Sequence, residues 1–206
     1  FRDPFPATCT PVPQPGVGPG EEPRYLAEIW WQIGNWEFDQ LDPGAGLIRN
    51  PREPDLMALP SVYGYNRAAS AYLRSLQFKR PQIYGVALYK YAWTLFKQQR
   101  YEAAVREFVK LLEFTDEQEK ITGDPGADFR AEAYTYIAGS LTNVDFAGPA
   151  ADEPFIPRPD IVEEADTAVA ERKLRVAIER VQDGKLIPQD KPWTIEIYKG
   201  LASEFR

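Results

Sequence analysis

The sequence predicts an all-α fold, built from a row of amphipathic helices. Apolar residues recur at steps of three and four positions, which is the period of a helix with one buried face. Prolines and glycines cluster between these periodic segments, where they end one helix and precede the next. Along the sequence we find no strict alternation of apolar and polar residues, the pattern typical of a half-buried strand.

The first two helices are predicted over residues 25–40 and 61–78. Both carry apolar side chains at helical spacing. The segment 43–60 between them contains four prolines and is predicted to be a long loop, and Pro81 ends the second helix. The periodic residues are Tyr25, Ile29, Trp30, Ile33 and Phe38 in the first helix and Tyr65, Ala68, Ala69, Tyr72 and Leu76 in the second.

The third and fourth helices are predicted over residues 83–98 and 101–114. Only a short turn at Gln99 and Arg100 separates them. A turn of this length makes two helices antiparallel and brings them into contact. The acidic stretch 115–127 ends in a Gly-Asp-Pro-Gly sequence and is predicted to be a loop.

Three more helices are predicted in the last third of the chain. A fifth covers residues 128–142, a proline-rich loop follows at 144–161, and a sixth covers 162–182. Gly184 follows a helical pattern at the position where helices commonly end. A seventh helix begins near Trp193. We expect antiparallel packing of the first helix with the second, the third with the fourth, and the fifth with the sixth.

The chain divides into an amino-terminal arm and a helical body. Residues 1–23 contain seven prolines and three glycines, which favour an extended arm or linker because proline fixes φ and removes a hydrogen-bond donor. The helical body is predicted over residues 24–206.

The composition indicates a folded protein with an acidic surface. The 206 residues are 44% hydrophobic and 13% aromatic, which supplies the side chains of a sizeable core. The formal net charge of −7 argues against nucleic acid and against an anionic membrane surface as partners, since both bind basic faces. The sequence has no apolar run near the ~20 residues of a membrane span.

Several classes of catalytic site are excluded by residue type. The chain has no histidine, so Ser-His-Asp triads, Cys-His pairs and histidine-ligated metal sites cannot form. Cys9 is the single cysteine and has no partner for an internal disulfide. The acidic clusters at 116–128 and 152–160 lack the ligand spacing of a calcium loop. A paired-carboxylate site remains formally possible, but no such pair stands out in the sequence. We expect no enzymatic activity, no metal and no cofactor.

One segment resembles a tetratricopeptide repeat. Its predicted first helix has a bulky residue, a bulky-small pair and another bulky residue, and its predicted second helix has an aromatic, a small residue, an aromatic and an apolar residue. The small residues suit helices that touch closely. Leu111 departs from the family pattern, where alanine is usual. The matching positions are Leu88, Tyr91-Ala92 and Leu95, then Tyr101, Ala104, Phe108 and Leu111.

Weaker copies of this pattern surround the central one. The resemblance covers residues 25–206 and implies a tetratricopeptide-like α-α superhelix of about three and a half hairpins with long inserted loops. The copies are farther apart than the usual period of about 34 residues, and the excess falls in the predicted loops. They consist of Trp30, Ile33-Gly34, Tyr65, Ala68 and Tyr72; of Tyr134, Ile137-Ala138, Leu141, Ala170, Leu174 and Ala177; and of Tyr198, Leu201-Ala202 and Phe205.

The resemblance implies a protein-protein interaction scaffold without catalysis. In tetratricopeptide arrays the first helix of each hairpin lines a concave groove, which would bind a protein or an extended peptide here. A row of aromatics with few charges suits such a partner. Trp93 is the predicted anchor; packing of Trp93 and Phe96 against the arm or an inserted loop is the alternative. The predicted partner-binding residues are Trp31, Asn35, Tyr89, Trp93, Phe96 and Lys97; Phe38, Thr135 and Asn143 lie on the same predicted faces.

The central repeat is also similar to large envelope tetratricopeptide proteins of gliding and predatory bacteria. The similar stretches are ALYKYAW, YEAAVREFVKLL and FRAEAYTYIA. This resemblance implies a periplasmic or outer-membrane-associated location and a place in a larger envelope or motility assembly. Two alternatives remain open: the helical solenoid part of a peptidoglycan-acting enzyme such as a lytic transglycosylase, and a structural spacer in a longer protein.

Overall fold

The computed structural model describes residues 25–39, 60–149 and 167–205, with side chains described from residue 64 onward in the second range. Within these ranges the chain forms seven α-helices and no strand, which confirms the prediction of an all-α fold. The helices are α1 (Leu26–Asp39), α2 (Pro60–Gln77), α3 (Pro81–Lys97), α4 (Tyr101–Thr122), α5 (Arg130–Leu141), α6 (Thr167–Gln182) and α7 (Thr194–Glu204).

Some predicted features lie outside the described residues. The amino-terminal arm 1–23 is one. Residues 43–59 of the first predicted loop, residues 150–161 of the loop 144–161 and residues 162–166 of the predicted sixth helix are others. Pro60, assigned to the first of these loops, is instead the first residue of α2, where its fixed φ suits a helix start.

The fourth helix is longer than predicted, and the prediction of a loop at 115–122 was wrong. The apolar face of α4 continues through the buried Thr115, whose hydroxyl donates to the carbonyl of Leu111. The helix ends only at Gly123, which adopts φ 76° and donates its N–H to the carbonyl of Glu119. A run of acidic residues is compatible with a helix when they occupy its solvent face, whereas a glycine in the left-handed region ends it.

The helices pack mainly on their neighbours in sequence. Helix α1 packs on α2, α2 on α3, α3 on α4, and α4 on α5. The last part of the chain differs from the predicted pairing, since α5 contacts α7 more extensively than α6. Helix α6 joins the core through Ala177 and Val181 near its carboxyl end, both fully buried.

The close approach of α7 to α5 is made possible by Gly200 and not by Ala202. A Cβ on Gly200 would lie 3.1 Å from the Cβ of Ala138. Ala202, the small residue of the last, incomplete copy of the repeat pattern, is exposed. The neighbouring Leu201 is buried. Gly200, which has no side chain, makes the contact with α5.

Two groups of buried apolar residues form the core. The larger group extends from α3 to α7 and contains Ala92 and Ala104, both fully buried, as well as Leu111. The smaller group joins α1 to α2 and consists of Phe38, Ala68 and Tyr72. Leu111 is buried where the repeat pattern has alanine, so the central crossing accommodates a larger side chain.

An ion-pair network ties α4, α5 and α7 together. The guanidinium of Arg130 lies 3.0 Å from Asp116 and also contacts Glu119 and Asp128. The second carboxylate oxygen of Asp116 accepts a hydrogen bond from the indole N–H of Trp193, at 3.1 Å. Burial disfavours the charged form of Arg130, but the hydrogen bonds to Glu119 and Asp116 outweigh it and hold the pKa of Arg130 above its usual value.

The segment after α5 closes against the start of α4. The carbonyl of Phe146 accepts a hydrogen bond from the N–H of Glu102, which satisfies one of the free donors at that helix start. Gly148 has φ 66°, and a Cβ there would lie 2.3 Å from the carbonyl oxygen of Gln99. Arg180 of α6 lies over the Phe146 ring and donates to carbonyls of the same segment. The segment is thus held on both sides.

The contact between α1 and α2 can be tested at Gly34. A Cβ at this position would lie 2.5 Å from the ring of Tyr72, which is fully buried and cannot move aside freely. We expect Gly34→Ala to lower the free energy of unfolding by about 1–3 kcal/mol through overpacking. The matched control is Gly139→Ala in α5, where a Cβ meets nothing within 4 Å and should stabilise the helix by about 0.5–1 kcal/mol. Urea denaturation measures both; equal stabilisation by the two changes would contradict the close approach.

The Arg130 network can be tested in the same way. We expect Arg130→Met to lower the free energy of unfolding by about 1–3 kcal/mol, because three carboxylates lose their hydrogen-bonded cation. Arg106→Met removes an exposed pair with Glu102 within one helix and should cost less than about 0.5 kcal/mol. The difference between the two variants should shrink in about 1 M salt. A loss no larger for Arg130→Met than for Arg106→Met would show that the network contributes nothing.

Candidate functional site

The predicted partner-binding residues lie on α1 and α3. Trp31 and Asn35 are one turn apart on α1, and Tyr89 and Trp93 are one turn apart on α3. Phe96 and Lys97 follow in the last turn of α3. The structure therefore brings the predicted set together around two neighbouring helices, with Trp93 at the centre of the aromatic contacts.

Trp93 connects three helices through its ring. It stacks on Phe38 of α1 with ring centroids 4.7 Å apart, and lies 6.3 Å from Tyr136 of α5. It packs against both the larger and the smaller core group and is partly buried. Its indole N–H is buried without a hydrogen-bond partner among the described residues. Trp93 is thus a structural contact whose remaining surface faces out.

The rings of Tyr89 and Phe96 also contact aromatic neighbours. Tyr89 stacks on Phe129 with centroids 4.2 Å apart and planes 8° apart. Phe96 packs against Tyr136 at 5.1 Å and against Tyr101 at 5.6 Å. Burial, together with its neighbours Tyr136 and Glu132, raises the pKa of Tyr89 to about 12, so the phenol stays neutral at physiological pH. This row of rings covers α3 on the side that faces α5.

The two predicted residues on α1 fix α1 to α2. The hydroxyl of Tyr72 donates to the side-chain oxygen of Asn35 at 2.8 Å. Burial raises the pKa of Tyr72 above its usual value, which keeps the phenol a hydrogen-bond donor. Trp31 is partly buried against the smaller core group. Asn35 is therefore already engaged within the protein, and Trp31 is only partly accessible.

Two lysines flank the ring of Trp93. The ammonium of Lys90 lies 4.9 Å from the ring centroid and that of Lys97 lies 5.6 Å from it, distances typical of cation–π contacts. Lys97 is exposed and Lys90 is half-buried. Lys90 was not among the predicted site residues, although its spacing of seven positions from Lys97 is two helical turns and could have indicated a shared face.

The remaining residues on the predicted faces differ in their roles. Thr135 is exposed on α5. Asn143 donates from its side-chain amide to the carbonyl of Gly139 at 2.7 Å, so it completes the end of α5. Phe38 belongs to the smaller core group. Of all the residues predicted to line the binding surface, only Thr135 and Lys97 are exposed.

The described side chains of the site are better suited to binding a partner than to catalysing a reaction. In the described ranges no group of three or more acidic or cysteine side chains could hold a metal ion. No helix described here combines the length and apolar character that crossing a membrane requires. What the site presents is a partly open aromatic face with two ammonium groups within cation–π distance of its central ring.

The structural role of Trp93 can be measured against a second tryptophan. We expect Trp93→Ala to lower the free energy of unfolding by about 3 kcal/mol, because it removes one of the two rings, with Tyr91, that pack against both core groups. Trp36 is 59% exposed on α1, and Trp36→Ala should change stability by no more than about 0.5 kcal/mol. Thermal and urea unfolding would measure both; a Trp93→Ala variant as stable as Trp36→Ala would contradict the role of this ring in joining the core groups.

Comparison with known proteins identifies no relative from which a function could be transferred. The chain matches no protein-family model, no curated protein and no solved structure. The tetratricopeptide resemblance therefore stays a prediction, and any functional conclusion depends on the geometry described above.

Proposed function

We propose that this protein is a non-catalytic protein-protein interaction scaffold built from tetratricopeptide-like helical hairpins. The observation that carries the proposal is the ring of Trp93, partly open to solvent, with the ammonium groups of Lys90 and Lys97 both within cation–π distance of it. Aromatic side chains and cations that lie together on a rigid helix are typical of binding surfaces. The site offers no arrangement of groups for acid-base or nucleophilic chemistry.

The packing of the helices supports a repeat array. Consecutive helices from α1 to α5 contact each other along the chain, as in a solenoid whose units touch only their neighbours. Small residues lie at close approaches in each part: Gly34 beneath Tyr72, Ala92 and Ala104 in the central core, and Gly200 against Ala138. Small residues therefore lie at helix contacts in the first, central and last parts of the described structure.

The surface around Trp93, Lys90 and Lys97 favours an extended peptide that carries a carboxylate beside an apolar side chain. The apolar side chain would contact the open part of Trp93, and the carboxylate would pair with Lys97. The side-chain oxygen of Asn35 is engaged by the hydroxyl of Tyr72. On the resemblance of the central repeat, we place the protein in a bacterial envelope or motility-type assembly, in the periplasm or at the outer membrane.

The proposal is tested by peptide selection on the whole chain. Random 12-residue peptides displayed on phage would be selected against the immobilised protein, and the affinity of the best peptide measured by fluorescence anisotropy. We expect Lys97→Ala to weaken binding about five- to tenfold, and added salt to weaken it further. The matched control is Lys120→Ala, an exposed lysine on α4, which should leave the affinity unchanged.

Two results would contradict the proposal that the surface around Trp93 and Lys97 binds a peptide. One is a selection that yields no peptide above background, which would favour a structural spacer. The other is an equal loss of affinity in Lys97→Ala and Lys120→Ala, which would indicate binding through net charge alone. Circular dichroism of each variant confirms that the helices are intact.

A further inference from the structure

The outer face of α1 carries four large apolar side chains that no described residue covers. Tyr25 and Trp36 are each 59% exposed, Ile29 is 43% exposed and Ile33 is 38% exposed. Most large exposed apolar residues of the other described helices occur singly. Isolated apolar residues are common on protein surfaces, but a contiguous group of this size indicates an interaction site.

These four side chains form one stripe along the helix. At 100° per residue they fall within an arc of about 80°. The opposite side of α1 carries Ala27, Gly34 and Phe38, which are buried. Helix α1 therefore has two apolar faces, of which one packs on the rest of the protein and the other faces solvent. We call the stripe of Tyr25, Ile29, Ile33 and Trp36 the outer face of α1.

The outer face is distinct from the surface around Trp93. Trp31 and Phe38 point to the packed side of α1, toward α2 and α3. The outer face is separated from them by about half a helical turn. A ligand on one of these surfaces would leave the other accessible.

Acidic residues border the outer face. Glu28 and Asp39 are exposed and lie along one edge of the stripe at helical spacing. Glu37 lies near the other edge, with Arg67 of α2 at 3.9 Å. Helix α1 contains no lysine or arginine. Among the described residues Glu28 and Asp39 form no ion pair, so their charges are available to a partner.

Charge argues against other parts of this chain as the occupant. Residues 1–24 carry three acidic and two basic side chains, and residues 40–59 carry the same numbers. Residues 150–166 carry six acidic side chains and one arginine. Each of these segments has a negative net charge, which disfavours it as a partner for a face bordered by Glu28 and Asp39.

Charge also argues against a second copy of the chain. Two copies of α1 packed antiparallel through the outer face would place the edge with Glu28 and Asp39 beside the same edge of the other copy. Like charges at such an edge oppose association. A protein with a net charge of −7 also repels itself at long range.

We propose that the outer face of α1 binds an amphipathic helix of another protein, whose apolar stripe is bordered by lysine or arginine. A helix laid along α1 would cover Ile29 and Ile33 with its apolar residues, and its basic residues would pair with Glu28 and Asp39. The acidic surface of the chain would speed the encounter with such a partner. This proposal rests on the proposed function as a scaffold, but it assigns a second surface and the chemistry of its partner.

The test uses designed peptides with the whole chain. The probe is a peptide of about 20 residues with leucines at helical spacing and lysines on both edges of the leucine stripe. Its first control has glutamate in place of every lysine, and its second has the same composition in an order that disperses the leucines. We expect only the probe to bind, and its affinity to fall as salt is added.

Matched variants locate the binding site. The double change Ile29→Ser and Ile33→Ser keeps the charge of the chain and should weaken binding at least about tenfold. The control is the double change Leu73→Ser and Ile195→Ser, which alters two exposed apolar residues on α2 and α7 and should change affinity less than about twofold. Both variants should retain the circular dichroism spectrum of the unchanged protein.

Trp36 supplies a second readout that does not depend on these substitutions. The probe should shift the tryptophan emission of the unchanged protein to shorter wavelength and reduce its quenching by acrylamide. Both effects should be absent in Trp36→Phe, even though four tryptophans remain. If the double serine variant loses helicity, this fluorescence measurement still shows whether the probe binds the outer face of α1.

Three results would overturn the proposal. If the glutamate peptide bound as tightly as the lysine probe, basic residues of the partner would not be what the outer face recognises. A dimer in analytical ultracentrifugation that the Ile29→Ser and Ile33→Ser changes abolish would make the outer face an interface between copies. Acrylamide quenching that is identical in the unchanged protein and in Trp36→Phe would show that the chain itself covers this face. The effect of Lys97→Ala on peptide binding is measured on a different surface and is independent of all three results, so failure of one proposal can be distinguished from failure of the other.

Discussion

The contact between the rings of Phe38 and Trp93 joins the two parts of the core. Among the residues with described side chains, the smaller core group contains Phe38, Ala68 and Tyr72 as buried apolar residues, and three such residues supply little stabilisation alone. Trp93 packs against this group and against the larger one, and so couples α1 and α2 to the central hairpin. A ligand that contacts the open part of Trp93 would therefore also stabilise the fold, because binding to the native state alone raises its stability.

Two surfaces of opposite chemistry lie close together in the first half of the protein. Around Trp93 the charges are positive, from Lys90 and Lys97. Along the outer face of α1 they are negative, from Glu28 and Asp39. An array of helical hairpins can present both, because each helix has one side for packing and another for solvent. Such a pair of surfaces would allow the scaffold we propose to hold two partners that do not compete.

The sequence predicted helix positions well wherever periodicity and helix-ending residues agreed. All seven helices fall near their predicted positions. The extension of α4 to Thr122 was missed because the acidic residues there were assigned to a loop, although Thr115 continues the buried face. For the candidate site, the helices that carry it were predicted correctly. The internal contacts of Asn35 were not, because its partner Tyr72 is 37 residues away in the sequence.

The sequence by itself determined the helical class, the excluded catalytic chemistry and the small residues available for close helix contacts. These depend on local spacing and on residue type, which a linear sequence contains in full. Only the tertiary structure decided which small residue meets which helix: Gly200, and not Ala202, lies against Ala138. It also decided that Trp93 is partly buried and that the second apolar side of α1 is exposed. The rotation of each helix about its axis is set by contacts between distant segments, and a helix with apolar residues on two sides does not reveal which side the protein covers.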